Sequence, residues 1–285
     1  MTHRCAVASF EGNVSGLAGD TLVVLLIRGI YMSGTAANRQ ANRTNPNTVL
    51  ETFSAAKNSF ELYDAEIEAF FLENYIYHDV IHRKDRFASL NSFGKGAIVY
   101  LHRGRFKQYI TNPAGQEVFL GFLPQHSTLA TMKSGYELGK SMIANTDCSI
   151  YVATNDSYFK FLQSSPRLIE HQLFEPYYRR NLNDFAKIET MFYPAQVKVY
   201  EYVSYLALLF GKHDPTDCRV MLVDYPPTVK DMANYLGIHR SNASRYLSEL
   251  EALDLVEHSS KLLKVNDIVA LDGKVEELKR AYLEK

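Results

Sequence analysis

The chain has 285 residues, 46% of them hydrophobic and 22% charged, with a formal net charge of −1. That length accommodates two domains with separate cores, and the composition is ordinary for a soluble globular protein. It excludes a global basic field as the mark of a nucleic-acid partner, although a local cationic face neutralises phosphates without one.

Residues 1–48 read as a poorly ordered extension and linker. Their longest apolar run, Leu22 to Ile27, falls far short of the ~20 residues a bilayer crossing needs, so no membrane partner is expected. Arg4 before it and the small residues Ser33 to Ala37 after it faintly resemble a secretory signal. The other readings are an extension, or a start codon assigned too far upstream with Met32 as the true start. Ser33 to Thr48 is rich in Asn, Thr, Gly and Ala and reads as a linker. Apolar residues then fall at helical spacing over Val49 to Phe60 (Leu50, Phe53, Phe60) and Asp64 to Asn74 (Ile67, Phe70, Phe71).

His78 and His82, four apart, could share a helix face as metal or haem ligands, but spacing fixes no third ligand. From about Phe87 to Ala153 short apolar or alternating runs are broken by turn signals such as Arg103-Gly104 and Asn112-Pro113-Ala114-Gly115. This texture predicts a compact antiparallel roll able to enclose a small molecule. Cys148 in its last strand is a packed thiol or a redox switch. The three cysteines, Cys5, Cys148 and Cys218, form no zinc or iron–sulfur spacing, and their odd number fits a reducing cytoplasm. No cofactor and no metal are expected.

Asp156 to Gln163 predicts a short helix, and Pro166 opens a long one towards Phe192, interrupted at Pro176 and ended by Tyr193-Pro194. Ala195 to Phe210 is a further helix, and Met221 to Val223 a strand. In Thr228 to Val265 two short helices flank a turn. Val229, Met232, Ala233 and Leu236 form one stripe, and Ala243, Tyr246, Leu247, Leu250 and Leu253 a second. Gly237 lies between them, where a residue without Cβ turns freely. His239 or Ser241 can cap the second helix. Its opposite face begins His239, Arg240, Ser241, Asn242, Ser244 and Arg245, donors placed where a helix-turn-helix meets base edges. Leu255 to Glu257 and Leu262 to Val265 predict a wing. Nearby Lys230, Lys261 and Lys264 are offset by acidic neighbours, which predicts modest non-specific affinity and reliance on a dimer.

This order of parts, from Phe87 to Val265, resembles the superfamily of the cAMP receptor protein and the fumarate/nitrate-reduction regulator. Leu236-Gly237-Ile238-His239-Arg240-Ser241-Asn242-Ala243-Ser244-Arg245 is similar to that family's turn and recognition helix. Asn112 to Glu117, followed by Phe119 to Leu123, is similar to its hairpin between roll strands. Family members often carry Arg, Glu and Arg where this chain has Arg240, Ser241 and Arg245; Ser241 in place of Glu alters the implied target sequence. Cyclic-nucleotide binders of the family hold ribose with Gly-Glu-Leu and phosphate with Arg-Ser or Arg-Thr. The corresponding positions here are Ala130-Thr131-Met132 and Leu138-Gly139, so cAMP and cGMP are not expected to activate this chain unless Lys133 or Lys140 substitutes.

The resemblance implies an α+β chain. A jelly-roll-like β-roll for effector sensing (49–164) precedes a long dimerisation helix (165–193) and a winged helix-turn-helix domain (194–285). Implied partners are double-stranded DNA, a second copy of the chain, a small effector and RNA polymerase. Thr228, Lys230 and Lys261 would meet phosphate. Thr128, Thr131, Met132, Tyr136, Tyr177 and Tyr178 would line the effector site, with Tyr109 a further aromatic candidate. No enzymatic activity is expected, since no nucleophile–base pair or phosphate-cradling loop is present. The alternative is a cupin-like metal-binding enzyme or sensor with an accessory winged helix, for which His102, Glu117 and His126 are the candidate ligands.

Overall fold

Strands drawn from Tyr77 to Thr154 build two four-stranded antiparallel sheets in the computed structural model, which describes residues 64–87, 96–111, 114–130, 139–173 and 191–284. The first sheet has the order β1 (Tyr77–Ile81), β8 (Cys148–Thr154), β3 (Ala97–Arg103), β6 (Ser127–Ala130). The second has the order β2 (Arg86–Phe87), β7 (Gly139–Ala144), β4 (Phe106–Thr111), β5 (Glu117–Leu123). β1 and β2 extend the roll upstream of its expected start at Phe87. The extended backbone of β1 also replaces the helix considered for His78 and His82.

Alternation decides which side chain goes where. Ala97, Val99 and Leu101 of β3 join Ile150 and Val152 of β8, Phe106, Leu123, Met142 and Ala144 in one core. The intervening Ile98 and Tyr100 face the other way, into a second core. There they meet α1 (Ala65–Asn74) through Ile67, Phe70 and Phe71, and α2 (Asn155–Leu162) through Tyr158 and Leu162. β3 is therefore buried on both faces, which explains its unbroken apolar run. Asp64 caps α1 by accepting from the Glu66 and Ile67 amides and pairs with Arg167 at the start of a helical stretch at 166–173. Most of the predicted long helix, the extension and linker, and the helix at 49–60 lie outside the described residues.

Downstream come α3 (Ala195–Phe210), β9 (Lys212–His213), β10 (Met221–Asp224), α4 (Val229–Leu236), α5 (Arg240–Ala252), β11 (Val256–His258), β12 (Leu262–Val265) and α6 (Ile268–Leu283). The predicted wing forms as β11 and β12, extended by β10 and β9 into one antiparallel sheet in the order β11-β12-β10-β9. α6 has no counterpart among the predicted elements. Asp267 caps it, and Ile268, Leu271, Val275 and Lys279 are its buried residues. The chain divides into two compact units: Tyr200–Asp224 with Leu250–Lys285, and Phe60–Val199 with Tyr225–Glu249. The first holds the wing sheet and α6; the second holds the roll, α4 and the first ten residues of α5, Arg240 to Glu249.

Candidate nucleic-acid interface

α4 starts with a reciprocal cap. The Thr228 hydroxyl accepts from the Asp231 amide at 3.1 Å, and the Asp231 carboxylate accepts from the Thr228 amide at 3.2 Å. Two of the amides that a helix start leaves without intrahelical partners are thereby satisfied. Gly237 ends the helix at φ 63°, ψ 37°, and its amide donates to the Ala233 and Asn234 carbonyls. No atom would obstruct a Cβ there, so the left-handed backbone alone calls for glycine.

The chain resumes helix at Arg240, with the His239 carbonyl accepting from the Asn242 and Ala243 amides. Ala243, Leu247 and Leu250 are buried on one side. On the other side His239, Arg240, Ser241, Ser244 and Arg245 are exposed and Asn242 is partly so. Leu253 departs from the predicted stripe: the helix ends at Ala252 and Leu253 is exposed. Arg245 lies over the Tyr246 ring at 4.4 Å, donates to the Tyr246 hydroxyl and approaches Glu249 at 3.8 Å. Thr228 and Lys230 are exposed on the first turn of α4. In the wing the Ser259 hydroxyl accepts from the amides of Lys261 and Leu262, fixing a tight turn with Lys261 exposed.

Of the expected effector residues only Thr128 is described; its hydroxyl donates to the Gln172 side chain at 3.1 Å. Thr131, Met132, Tyr136, Tyr177 and Tyr178 lie outside the described residues. Tyr109 is partly buried, and its hydroxyl donates to Asp231 at 3.2 Å. Burial first, then the Asp231 charge, raises its pKa far above the ordinary tyrosine value, so the phenol stays protonated.

The metal candidates have other partners. His102 Nδ1 lies 2.8 Å from Glu68, His126 Nδ1 2.9 Å from the Tyr100 hydroxyl, and Glu117 pairs with Arg86 at 2.8 Å. His78 meets Ser149 and the Tyr151 ring, and His82 lies 3.8 Å from Asp147. Among the described residues no group of three His, Cys, Asp or Glu could hold a metal ion. Cys148 is fully buried, and burial pushes its thiol up to about 11, which leaves it protonated and unreactive at neutral pH. From the sequence Asp231 counted only as an acidic neighbour offsetting Lys230, although Thr228 and Asp231 hold the spacing of a capping box.

An antiparallel roll followed by two short helices, a glycine turn and a β-wing defines the class of β-roll proteins with a winged helix-turn-helix. Residues 203–273 match the Crp-like helix-turn-helix domain. The chain is similar to a CooA mutant from Carboxydothermus hydrogenoformans (14% identity over 75% of this chain and 99% of that one, TM-score 0.56). It is also similar to FixK2 from Bradyrhizobium japonicum (12%, 69% and 96%, TM-score 0.54). A third likeness is the c-di-GMP responsive global regulator CLP of Xanthomonas campestris (15%, 71% and 99%, TM-score 0.53). Comparison with the curated proteins found no match. Residues 203–273 are thus similar to a Crp-like helix-turn-helix domain, and the chain shares the fold of these solved structures. No helix among the described residues is long and apolar enough to cross a membrane.

Proposed function

We propose that this chain is a cytoplasmic, sequence-specific DNA-binding transcription regulator, not an enzyme, that acts as a homodimer. In this reading residues 49–164 form the effector-sensing roll, 165–193 the dimerisation helix and 194–285 the DNA-binding domain. The observation that carries it is the start of α5, where exposed donors (His239, Arg240, Ser241, Ser244, Arg245) back onto buried Ala243 and Leu247. A helix so divided offers its N-terminal half to the major groove and anchors itself by the other side. Arg240 and Arg245 read or clamp the groove, Ser241 and Asn242 supply adaptable donors and acceptors, and Thr228, Lys230 and Lys261 meet phosphates. Two half-sites about one DNA turn apart require two such helices related by a two-fold axis.

The effector is a small molecule, uncharged or weakly acidic, held in the roll near Thr128, Thr131, Met132 and Tyr136 with Tyr177 and Tyr178 from the long helix. It biases which arrangement of the two readers is populated, and RNA polymerase is the downstream partner. Cyclic AMP is not that effector, because Leu138-Gly139, which stand where the resemblance would put the family's phosphate site, include no arginine; micromolar binding of cAMP or cGMP in calorimetry would overturn this. The function is tested by selecting duplexes from a random pool with the full chain. A recurrent palindromic motif is expected, and Arg240→Ala is expected to lose discrimination at one position of it. Recovery of unrelated duplexes only would contradict the proposal.

A further inference from the structure

α4, the first helix of the reader, belongs to the same compact unit as the roll, and it is fastened to the roll by named contacts. Lys107 Nζ on β4 lies 3.0 Å from Asp231 Oδ2, with 13% and 10% of the two side chains exposed. Two residues along the same strand, the Tyr109 hydroxyl donates to the other carboxylate oxygen, Oδ1. The carboxylate that caps α4 is therefore also the acceptor for two roll side chains, one of them a cation. Beside it the ring of Phe119 on β5 packs near that of Tyr235 on α4, centroids 6.2 Å apart. Just before α4, the buried Asn145 donates to the Tyr225 carbonyl at 2.9 Å, and Arg83 lies over the Tyr225 ring at 4.3 Å.

An ion pair this far from water is held in one geometry, because separating the partners strands a charge. Its location is also specific. While docked, α4 keeps Thr228 and Lys230 exposed, and the donors at the start of α5 stay uncovered. The contact therefore holds the reader without hiding it. We infer that Lys107, Tyr109 and Asp231 are positioning residues through which the roll fixes the reader for specific DNA binding. The inference rests on the DNA-reading role proposed above. A dimer recognises two half-sites at a set separation only if each reader is held at a set place. β4 pairs with β7, which leads from the segment expected to meet the effector, so one element touches both the sensing part and the reader.

The test compares full-length wild type with Lys107→Met, Lys107→Arg and Tyr109→Phe. Hydrogen exchange comes first. α4 amides in Lys107→Met and Tyr109→Phe should exchange at least tenfold faster than in wild type, with the amides of β3 and β8 unchanged and Lys107→Arg close to wild type. Unchanged α4 exchange would overturn the docking contact whatever the chain binds. DNA binding follows, on a duplex selected by the wild-type chain. Lys107→Met and Tyr109→Phe should weaken it at least tenfold and flatten the loss caused by moving the half-sites one base pair apart. Random duplex should bind as before, with an unchanged salt slope, since a lost phosphate contact would lower that slope. Faster exchange with unaltered affinity and spacing preference would overturn the positioning role. A wild-type chain that selects no duplex would refute the DNA-reading role instead, and with it the positioning of a reader.

Discussion

Arg240 and Arg245 carry the same charge on the same helix face but differ in freedom. Arg245 is stacked on Tyr246 and within 3.8 Å of Glu249, whereas Arg240 is exposed and makes no ion pair among the described residues. In the DNA-reading role proposed above, Arg240 suits base reading and Arg245 a held phosphate clamp. Arg240→Ala should cost ~1–3 kcal/mol on the selected duplex and relax preference at one position, as measured by titration against single-base variants. Arg245→Ala should weaken all sequences alike and lower the salt slope by about one. His258 in the wing supplies a pH test. Burial holds its pKa below 6.5, only partly countered by Glu251. The folded chain thus favours the neutral ring, the unfolded chain binds the extra proton, and stability falls as pH drops through 6.5 towards the folded value. Denaturation midpoints should decline between about pH 7 and 5, and His258→Gln should flatten that decline. At this scale the exposed arginines were legible in the sequence because helical spacing alone assigns them a face. The pairing of Asp231 with Lys107 was not, because the two lie 124 residues apart and only the folded chain brings them together.

Backbone constraints decide the short elements. α4 has only eight residues, too few to persist by propensity, so its ends matter. Gly237→Ala forces a Cβ into a left-handed turn and should cost ~1–2 kcal/mol. Gly104, between β3 and β4, faces a harder limit: φ is 91° and a Cβ would stand 2.4 Å from the Asp147 carbonyl oxygen. Gly104→Ala should destabilise the roll by about 3 kcal/mol or more, read by thermal or chemical melting. The two reader helices and the wing were predictable because apolar spacing, a turn glycine and strand alternation agree there. β1 was not, because it lies at an edge and only Ile81 of its five residues is buried, which erases the alternation that marks a strand. α6 did leave a signal in Ile268, Leu271 and Val275 behind a capping Asp267.

For the molecule as a whole, the roll strands and the wing were readable from turn signals and strand alternation, but the layering was not. The run Ile98 to Leu101 shows a strand covered on both faces, yet nothing local states that helices cover one face and a second sheet the other. The same holds for the docking of α4, which joins β4 and β5 to a helix more than a hundred residues later. Dimeric reading of DNA is the claim on which these roles depend, since a lone helix of this modest local charge cannot supply specific affinity. The most direct measurement is the stoichiometry and hydroxyl-radical footprint of the full chain on its selected duplex. The account predicts two chains per duplex and two protected windows about 10 base pairs apart, both shifted to roughly ten- to a hundredfold higher protein concentration in Arg240→Ala. One chain per duplex with a single window, or no protection on any duplex, would contradict it.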